Sequence, residues 1–283
     1  MFVQVGDVKL FFDVEGAKLV PDGAAMLEKP TLLLLHGGPG FDHSLFKPAF
    51  SALAERCQVV YLDHRGQGRS EASDPSRWNL NQWADDIHAF CHVLGIEKPI
   101  VLGQSFGGFV ALNYALRHPS GPGKLILSST TARMRLDRAY AMFDRLGGNE
   151  AREVAERFWT DPTEANRVDY ARVCLPLYAR RGMDADARAR VRLHPEVGAH
   201  FIRHEMTTYD LRPGLGSIAC PVLVIAGELD PITPVADAMD LVAALPQGSV
   251  RLEVFADAGH GVFRDAPERF VALVDDFIGS AVP

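Results

Sequence analysis

The segment Gly103-Gln104-Ser105-Phe106-Gly107 decides the fold. It directly follows the apolar run Pro99-Ile100-Val101-Leu102 and precedes a stretch of helical character, Phe109 to Leu116. A serine between a buried strand and a helix, with a glycine two positions away on each side, is typical of a nucleophile elbow, a sharp turn that exposes the serine hydroxyl. Glycine suits the flanking positions because the strand and the helix approach each other closely there. The segment therefore predicts an α/β architecture with Ser105 at the carboxyl end of a strand.

Short apolar runs separated by helical patterns continue along the chain, as in a parallel sheet covered on both faces. The predicted strands are Val8 to Val14, Thr31 to Leu35, Gln58 to Leu62, Ile100 to Leu102, Lys124 to Leu127, Val222 to Ala226 and Val250 to Phe255. A polar loop is expected between the first two, up to Lys29-Pro30. Apolar residues at three- and four-residue spacing predict two helices that pack on the sheet. Their apolar faces are Trp83, Ile87, Phe90 and Leu94 in the first and Phe270, Val274, Phe277 and Ile278 in the second. The pattern favours a mostly parallel, doubly wound sheet.

A long segment of different character lies between the strand that ends near Ser129 and the strand that starts at Val222. It is rich in Arg, Ala and Glu and has helical periodicity, so we predict a helical cap inserted into the core. Asn149 and Thr163 are candidate N-caps for two of its helices. The predicted core comprises residues 1–132 and 213–283, and the predicted cap comprises residues 133–212.

Composition limits the possible partners. The 283 residues are 47% apolar, and 36 acidic against 29 basic side chains give a net charge of -7. Without a basic stripe to neutralise phosphates, nucleic acid is not an expected partner. The N-terminal residues lack a basic and apolar signal pattern, and no stretch approaches the ~18 apolar residues of a membrane span, so we expect a cytoplasmic protein without membrane contact. No sequence pattern specifies an oligomeric state.

Residues of catalytic type follow two of the later strands. One strand runs into Gly227-Glu228-Leu229-Asp230-Pro231 and the next into Asp257-Ala258-Gly259-His260-Gly261. Catalytic groups in open α/β sheets gather at the carboxyl ends of the strands, so Ser105, Asp230 and His260 should converge. An imidazole can accept the serine proton, and a carboxylate can hold the tautomer of that imidazole.

Two other carboxylates compete with Asp230 for this role. Glu228 lies just before it, and Asp257 lies just before His260. Asp230 is favoured because it lies further past its strand, where the loop can turn toward His260.

The strand from Thr31 to Leu35 runs into His36-Gly37-Gly38-Pro39-Gly40. Such a loop can offer backbone N–H groups without obstruction by side chains. We expect the N–H of Gly38, with that of Gly37 as the alternative, to act with the N–H of Phe106 as an oxyanion hole. His36 is expected to brace this loop.

A further motif is Asp63-His64-Arg65-Gly66-Gln67-Gly68-Arg69-Ser70. Taken together, these motifs resemble the α/β-hydrolase superfamily, and within it the proline iminopeptidase-like branch. The resemblance implies the α/β-hydrolase fold and a serine hydrolase without cofactor or metal that forms an acyl-enzyme on a small-molecule or short-peptide substrate. It also implies that Arg65 and Arg69 brace loops around the site.

The chain departs from that branch at the elbow, where Gln104 and Phe106 replace the usual glycine and tryptophan. Proline iminopeptidases hold the free amino terminus of the substrate with acids of the cap, and the candidate for that role here is Glu205. A carboxylesterase or lactonase is the alternative, favoured by the altered elbow and by apolar cap residues. These residues are Phe143, Phe158, Trp159, Leu175, Leu177, Tyr178 and Phe201. A ligand sensor that has kept the fold without catalysis is the third hypothesis.

A metal site is not predicted. Asp85, His88 and His92 share one helix face, but no further ligands are indicated nearby, so we expect a solvated face. The four cysteines form no CxxC pair.

Overall fold

The computed structural model describes residues 1–280. The strands are β1 (Phe2–Val5), β2 (Val8–Glu15), β3 (Leu19–Asp22), β4 (Ala25–Glu28), β5 (Thr31–Leu35), β6 (Gln58–Leu62), β7 (Ile100–Gln104), β8 (Lys124–Ser128), β9 (Val222–Gly227) and β10 (Val250–Phe255). The α-helices are α1 (Leu80–Val93), α2 (Phe106–Arg117), α3 (Leu136–Thr160), α4 (Glu164–Val173), α5 (Ala185–Arg190), α6 (Pro195–His204), α7 (Val235–Ala244), α8 (Val262–Asp265) and α9 (Pro267–Gly279). Short 3₁₀ helices span His43–Phe46, Ser51–Glu55, Pro75–Arg77, Leu175–Leu177 and Arg212–Ser217.

Eight of the strands form one sheet in the order β1-β2-β6-β5-β7-β8-β9-β10. The neighbours from β6 to β10 pair in parallel, whereas β1 and β2 join the β6 edge antiparallel. The carboxyl ends of the parallel strands therefore meet at one edge of the sheet, and the loops that follow them lie together there.

The central strand β5 is buried on both faces. Leu33 and Leu35 belong to an apolar cluster that includes residues of α1 and α2, whereas Leu32 and Leu34 belong to a second cluster with residues of α9. Because side chains alternate along a strand, this division means that helices cover both faces of the sheet. The predicted mostly parallel, doubly wound sheet is confirmed.

The segment between β2 and β5 is not the expected loop. It contains the hairpin of β3 and β4, which forms a separate two-stranded sheet. Leu19, Met26 and Leu27 of this hairpin are each more than half exposed. The prediction failed because the hairpin buries no face and so lacks the apolar alternation of a strand on a core.

The apolar faces of the two predicted helices pack as expected, with one exception. Trp83, Ile87 and Phe90 are buried in α1, and all four residues chosen in α9 are buried as well. Leu94 is 38% exposed because α1 ends at Val93 and Leu94 is already its C-cap.

Helices α3 to α6 lie between β8 and β9 in the chain, where the cap is predicted. Thr163 caps α4 as expected, since its side chain accepts a hydrogen bond from the N–H of Asn166. The backbone of Gly148 is not helical, with φ 74° and ψ -175°, so it divides α3 into two helical segments, and the second segment starts at Asn149. The Asn149 side chain donates to Glu153 at 2.7 Å and accepts no capping hydrogen bond from a backbone N–H among the described residues. The boundaries of the cap at residues 133 and 212 stay a proposal.

Candidate active site

Ser105 lies in the turn between β7 and α2, in a strained backbone conformation with φ 53° and ψ -118°. Glycine is required on both sides of it. A Cβ atom at Gly103 would overlap the carbonyl oxygen of Gly107, and one at Gly107 would overlap the carbonyl oxygen of Leu35. The N–H of Ser105 donates to Ser128 O at 3.0 Å, and the Thr130 hydroxyl donates to Ser105 O at 2.8 Å. The last residue of β8 and the segment just after it thus hold the strained turn.

Replacing Gly107 with alanine is expected to destabilise the fold. The new methyl group would overlap backbone atoms of β5 and of the loop after it, which cannot move without disturbing the centre of the sheet. We expect a loss at or above the upper end of about 1–3 kcal/mol in the free energy of unfolding, measured by urea denaturation. Gly216→Ala is the control, because a Cβ there meets open space. A Gly107→Ala variant as stable as this control would contradict the close packing at the elbow.

The structure brings Ser105, His260 and Asp230 into one row of hydrogen bonds. The Nε2 atom of His260 lies 2.8 Å from Ser105 Oγ, and its Nδ1 atom lies 2.9 Å from each carboxylate oxygen of Asp230. An ionised carboxylate can only accept, so Nδ1 carries the proton and Nε2 is free to accept one from the serine hydroxyl. His260 is 6% exposed and Asp230 is fully buried.

Asp230 is fixed in this position by its own loop. Its Oδ1 atom accepts hydrogen bonds from the N–H groups of Ile232 and Thr233, and its Oδ2 atom accepts one from the Thr233 hydroxyl. The two competing carboxylates, Glu228 and Asp257, are exposed, and neither is hydrogen-bonded to His260 among the described residues. The geometry thus agrees with the choice of Asp230.

The backbone of His260 is held from two sides. The side-chain amide of Gln104, the residue before Ser105, donates to His260 O at 2.7 Å. The N–H of His260 donates to Tyr178 O at 2.6 Å, and the Tyr178 ring meets the imidazole edge-on at 5.2 Å. Sequence reasoning missed both contacts. Gln104 was detectable as an unusual polar residue at the elbow, whereas a backbone carbonyl such as that of Tyr178 leaves no signature in the sequence.

The loop after β5 lies against the elbow. A Cβ at Gly37 would be 3.1 Å from Ser105 Cβ, so this glycine directly faces the serine. Gly38 has a φ of 56°, in the left-handed region that favours glycine. Among residues 1–280, no acceptor takes the N–H of Gly38 or of Phe106, whereas the N–H of Gly40 donates to Gln67 Oε1 at 2.7 Å. The two donors predicted for an oxyanion hole are therefore unoccupied.

His36 braces this loop as expected. It is fully buried, and burial lowers its pKa, so the ring is neutral. Its Nε2 atom accepts the N–H of His64 at 3.3 Å, and its Nδ1 atom lies 3.0 Å from Gly37 O and donates to it. Both ring nitrogens are thus occupied by backbone groups, which leaves none for proton transfer.

The side chains of Arg65 and Arg69 form ion pairs and hydrogen bonds within the protein. Arg65 pairs with both carboxylate oxygens of Asp86 at 2.7 and 2.8 Å and reaches Asp7 at 2.8 Å. Arg69 pairs with Asp42 and donates to the backbone carbonyl of Arg190 in the cap region at 2.8 Å. These contacts agree with the expected bracing of loops.

Glu205 lies at the end of α6, half-buried. Its Oε2 atom accepts the N–H of Leu80, in the first turn of α1, at 2.8 Å. Burial raises the pKa of Glu205, and this hydrogen bond partly opposes the rise. The carboxylate therefore has a structural contact, and its role as an amine anchor stays a prediction.

Aromatic side chains between β8 and β9 pack toward the site. Phe201 of α6 meets Phe106 edge-on at 5.2 Å, directly beside the elbow. Tyr178, next to His260, shares a hydrogen bond with Tyr170 through their hydroxyl groups at 2.5 Å. Tyr170 in turn contacts the rings of Phe143, Phe158 and Trp159. The surroundings of the serine and histidine are thus largely apolar on the side of these helices.

The acidic and histidine side chains on this face of α1 contact neighbouring side chains. Asp85 accepts two hydrogen bonds from Arg117 and lies 2.8 Å from His118 Nε2, while the His118 ring stacks on His88 at 3.9 Å. Residues 1–280 contain no group of three or more His, Cys, Asp or Glu arranged to hold a metal ion. Within the same range, no helix is long and apolar enough to span a bilayer.

Comparison with known proteins gives relatives along nearly the whole chain. The proline iminopeptidase of Lactobacillus helveticus is 29% identical over 278 residues, which cover 89% of this chain and 90% of that protein. RutD of Caulobacter sp. (strain K31), whose name provisionally assigns it as a carbamate hydrolase, is 28% identical and is matched over 87% of this chain and 90% of its own length.

A solved structure is similar as well. The proline iminopeptidase of Mycobacterium smegmatis superposes with a TM-score of 0.78 and 26% identity over 98% of this chain and 97% of that one. These relatives confirm the predicted resemblance to the proline iminopeptidase-like branch and identify a hydrolase. The family model for the alpha/beta hydrolase fold matches residues 30–267. The protein therefore belongs to the α/β-hydrolase fold family.

Proposed function

We propose that this protein is a serine hydrolase that cleaves a small amide or ester through an acyl-enzyme. Ser105 is the nucleophile, His260 is the general base and acid, and Asp230 is the orienting carboxylate. The observation that carries the proposal is the row of hydrogen bonds from Ser105 Oγ through His260 to Asp230, beside two unoccupied backbone donors. This is the arrangement that acyl transfer requires.

Each step can be assigned to a group of the site. His260 Nε2 takes the hydroxyl proton as Ser105 Oγ attacks the carbonyl carbon, and Asp230 stabilises the imidazolium that forms. The N–H groups of Gly38 and Phe106 stabilise the oxyanion, an effect worth about 2.7–4 kcal/mol for each donor. His260 then protonates the leaving group. His260 then takes a proton from the water that attacks the acyl-enzyme and gives it to Ser105 Oγ as the acyl bond breaks.

The first candidate substrate is an amide whose acyl group is an N-terminal proline. Support comes from the loop motifs shared with the iminopeptidase-like branch and from relatives named proline iminopeptidase. Glu205 is the candidate anchor for the proline amine. Its second carboxylate oxygen, Oε1, accepts no hydrogen bond from residues 1–280 and so remains free for this role.

The second candidate is an ester or lactone with a small acyl group. The observation that favours it is the apolar packing of Tyr178 and Phe201 beside His260 and the elbow, which suits an apolar acyl group. The contact of Glu205 with Leu80 also reduces its freedom to bind an amine. A ligand sensor without turnover is the third candidate, and the complete hydrogen-bonded row argues against it.

Steady-state hydrolysis separates these candidates. The wild type is compared on a proline p-nitroanilide, on short-chain p-nitrophenyl esters and on a panel of lactones, with Ser105→Ala as the blank. A much higher kcat/KM for the proline amide supports the iminopeptidase. Preference for esters or lactones supports the second candidate, and tight binding without any Ser105-dependent turnover supports the sensor.

Gln104 is expected to act as a positioning residue through its hydrogen bond to His260 O. Replacing it with methionine keeps the side-chain volume but removes the donor, so the histidine loses one of its two backbone restraints. We expect kcat to fall roughly 10- to 100-fold with little change in KM, since small misplacements of catalytic groups cost about this much.

Gln104→His is the matched control, because its ring N–H can restore a donor at similar reach. It should recover a large part of the kcat lost in Gln104→Met, with equal thermal stability in both variants. If the two variants have the same kcat, the hydrogen bond does not position His260.

A further inference from the structure

The guanidinium of Arg264 lies beside the catalytic loop. Arg264 belongs to the single turn of α8, and its side chain folds back over Gly261, the residue that follows His260. A Cβ at position 261 would be 2.6 Å from both Nε and Nη2 of Arg264. The absence of a side chain at Gly261 therefore makes room for a positive charge next to His260.

No carboxylate among residues 1–280 forms a direct ion pair with this charge, although the guanidinium lies 5.4 Å from the ring centre of Phe263. The guanidinium has no hydrogen-bond acceptor and no carboxylate within 4.0 Å in that part of the chain, and its Nε atom is inaccessible to solvent. The carboxylate of the next residue, Asp265, already accepts two other hydrogen bonds. It accepts the N–H of Arg181 at 2.9 Å and the N–H of Gly259 at 2.8 Å. Burial lowers the pKa of Arg264, and the nearby charge of Asp265 opposes this shift only in part.

Two other arginine side chains, one buried and one partly exposed, are paired with acids. Arg65 binds Asp86 through two parallel hydrogen bonds, and Arg69 binds Asp42. A guanidinium presents a rigid fork of donors that matches a carboxylate, and it is costly to bury without one. The missing acceptor at Arg264 is therefore the kind of group that a ligand would bring.

The position of Arg264 indicates which part of a ligand it meets. The loop from Gly259 to Gly261 faces the segment around Tyr178, whose carbonyl accepts the N–H of His260 and lies against Gly259. Clefts between a core and an inserted segment are common sites for small ligands. His260 is also the group that protonates the leaving group, so the substrate part beside it is the leaving group.

We propose that Arg264 binds a carboxylate carried by the leaving group of the substrate. The proposal rests on the hydrolase function proposed above and narrows its substrate class. An amide substrate of this kind is a dipeptide with a free C-terminal carboxylate, and an ester substrate of this kind is an ester of a hydroxy acid. Recognition occurs through the Nη1 and Nη2 groups of the guanidinium, because Nε is inaccessible.

Matched substrates that differ only at this group test the proposal. One pair is the dipeptide Pro-Gly and its C-terminal amide, and the other is 4-carboxyphenyl butyrate and 4-carbamoylphenyl butyrate. In at least one pair, the wild type is expected to prefer the carboxylate by tenfold or more in kcat/KM. Arg264→Gln should lower kcat/KM for that carboxylate substrate 10- to 100-fold and for its amide partner less than threefold.

Two further variants separate charge from folding. Arg264→Lys keeps the charge without the fork and should retain part of the preference. Arg269→Gln removes an exposed arginine from the following helix and should leave the preference unchanged, since Arg269 lies over the ring of Phe255 and 3.8 Å from Glu253. Thermal unfolding of each variant checks that the fold is intact. Equal losses on both members of each pair in Arg264→Gln would overturn the proposal.

Calorimetry gives a readout that does not need turnover. The leaving groups 4-hydroxybenzoate and 4-hydroxybenzamide are titrated into wild type and into Arg264→Gln. We expect the benzoate to bind the wild type at least tenfold more tightly than the benzamide, and this difference to vanish in the variant. Equal binding of the two ligands to the wild type overturns the Arg264 proposal even if the esters are hydrolysed. A difference that depends on Arg264, without any hydrolysis, supports the anion site and contradicts the hydrolase function instead.

Discussion

Replacing Ser105 with alanine is expected to lower kcat by about 10⁶, the scale of loss known for the nucleophile of a serine hydrolase. The methyl group cannot attack the carbonyl carbon, and His260 loses the hydroxyl from which its Nε2 atom takes a proton at 2.8 Å. The measurement is the hydrolysis rate on whichever substrate the wild type turns over fastest, with KM determined separately.

The strained turn should survive this change, because glycine at positions 103 and 107 and the hydrogen bond from the Ser105 N–H to Ser128 O do not involve the hydroxyl. Ser129→Ala is a suitable control, since it removes a buried hydroxyl next to the elbow that has no hydrogen-bond partner among the described residues. Retention of more than about a hundredth of the wild-type rate in Ser105→Ala would exclude Ser105 as the nucleophile.

Asp230→Asn is expected to lower kcat by about 10⁴, the scale of loss known for this change in a related triad. An amide is nearly the same size as the carboxylate, so the loop keeps its shape. The amide can donate to His260 Nδ1, however, which would place the imidazole proton on Nε2. The histidine could then no longer accept the proton of Ser105.

Asp257→Asn is the matched control, because Asp257 precedes the same histidine but is exposed and not bonded to it. Its kcat should stay within about threefold of wild type, since a screened surface charge has little effect at this distance. A large loss in Asp257→Asn together with a small loss in Asp230→Asn would reverse the assignment of the carboxylate.

The sequence predicted the sheet and the convergence of three distant residues because both follow from simple patterns. Buried parallel strands are continuous apolar runs, and the residues after them share one edge of the sheet. That reasoning placed Ser105, Asp230 and His260 together although their loops are far apart in the chain. Their hydrogen bonds in the structure are those that the reasoning expects.

Other features could not be predicted, for physical reasons. The hairpin of β3 and β4 has no buried face, so no apolar alternation marks it. A helix start near Asn149 was predicted, but not that the single non-helical residue Gly148 would separate it from the preceding helical segment. Whether a helix ends or bends at a glycine depends on what packs around it, and that information is not local.

The hydrogen bonds that hold the backbone of His260 could not be predicted from the sequence either. Tyr178 acts through its backbone carbonyl, which any residue possesses, and Gln104 acts through a partner 156 positions away. The unpaired state of Arg264 depends on the position of every neighbouring acid. Contacts of this kind are defined by tertiary structure alone.

The most direct test of the central claim is the mass of the protein after reaction with a fluorophosphonate, followed by peptide mapping. Phosphonylation requires a nucleophilic serine activated by its histidine. We expect a single adduct for each chain, located on the peptide that contains Ser105 and formed far more slowly in Asp230→Asn. No adduct, or an adduct on another residue, would contradict the assignment of Ser105 as the nucleophile of a serine hydrolase.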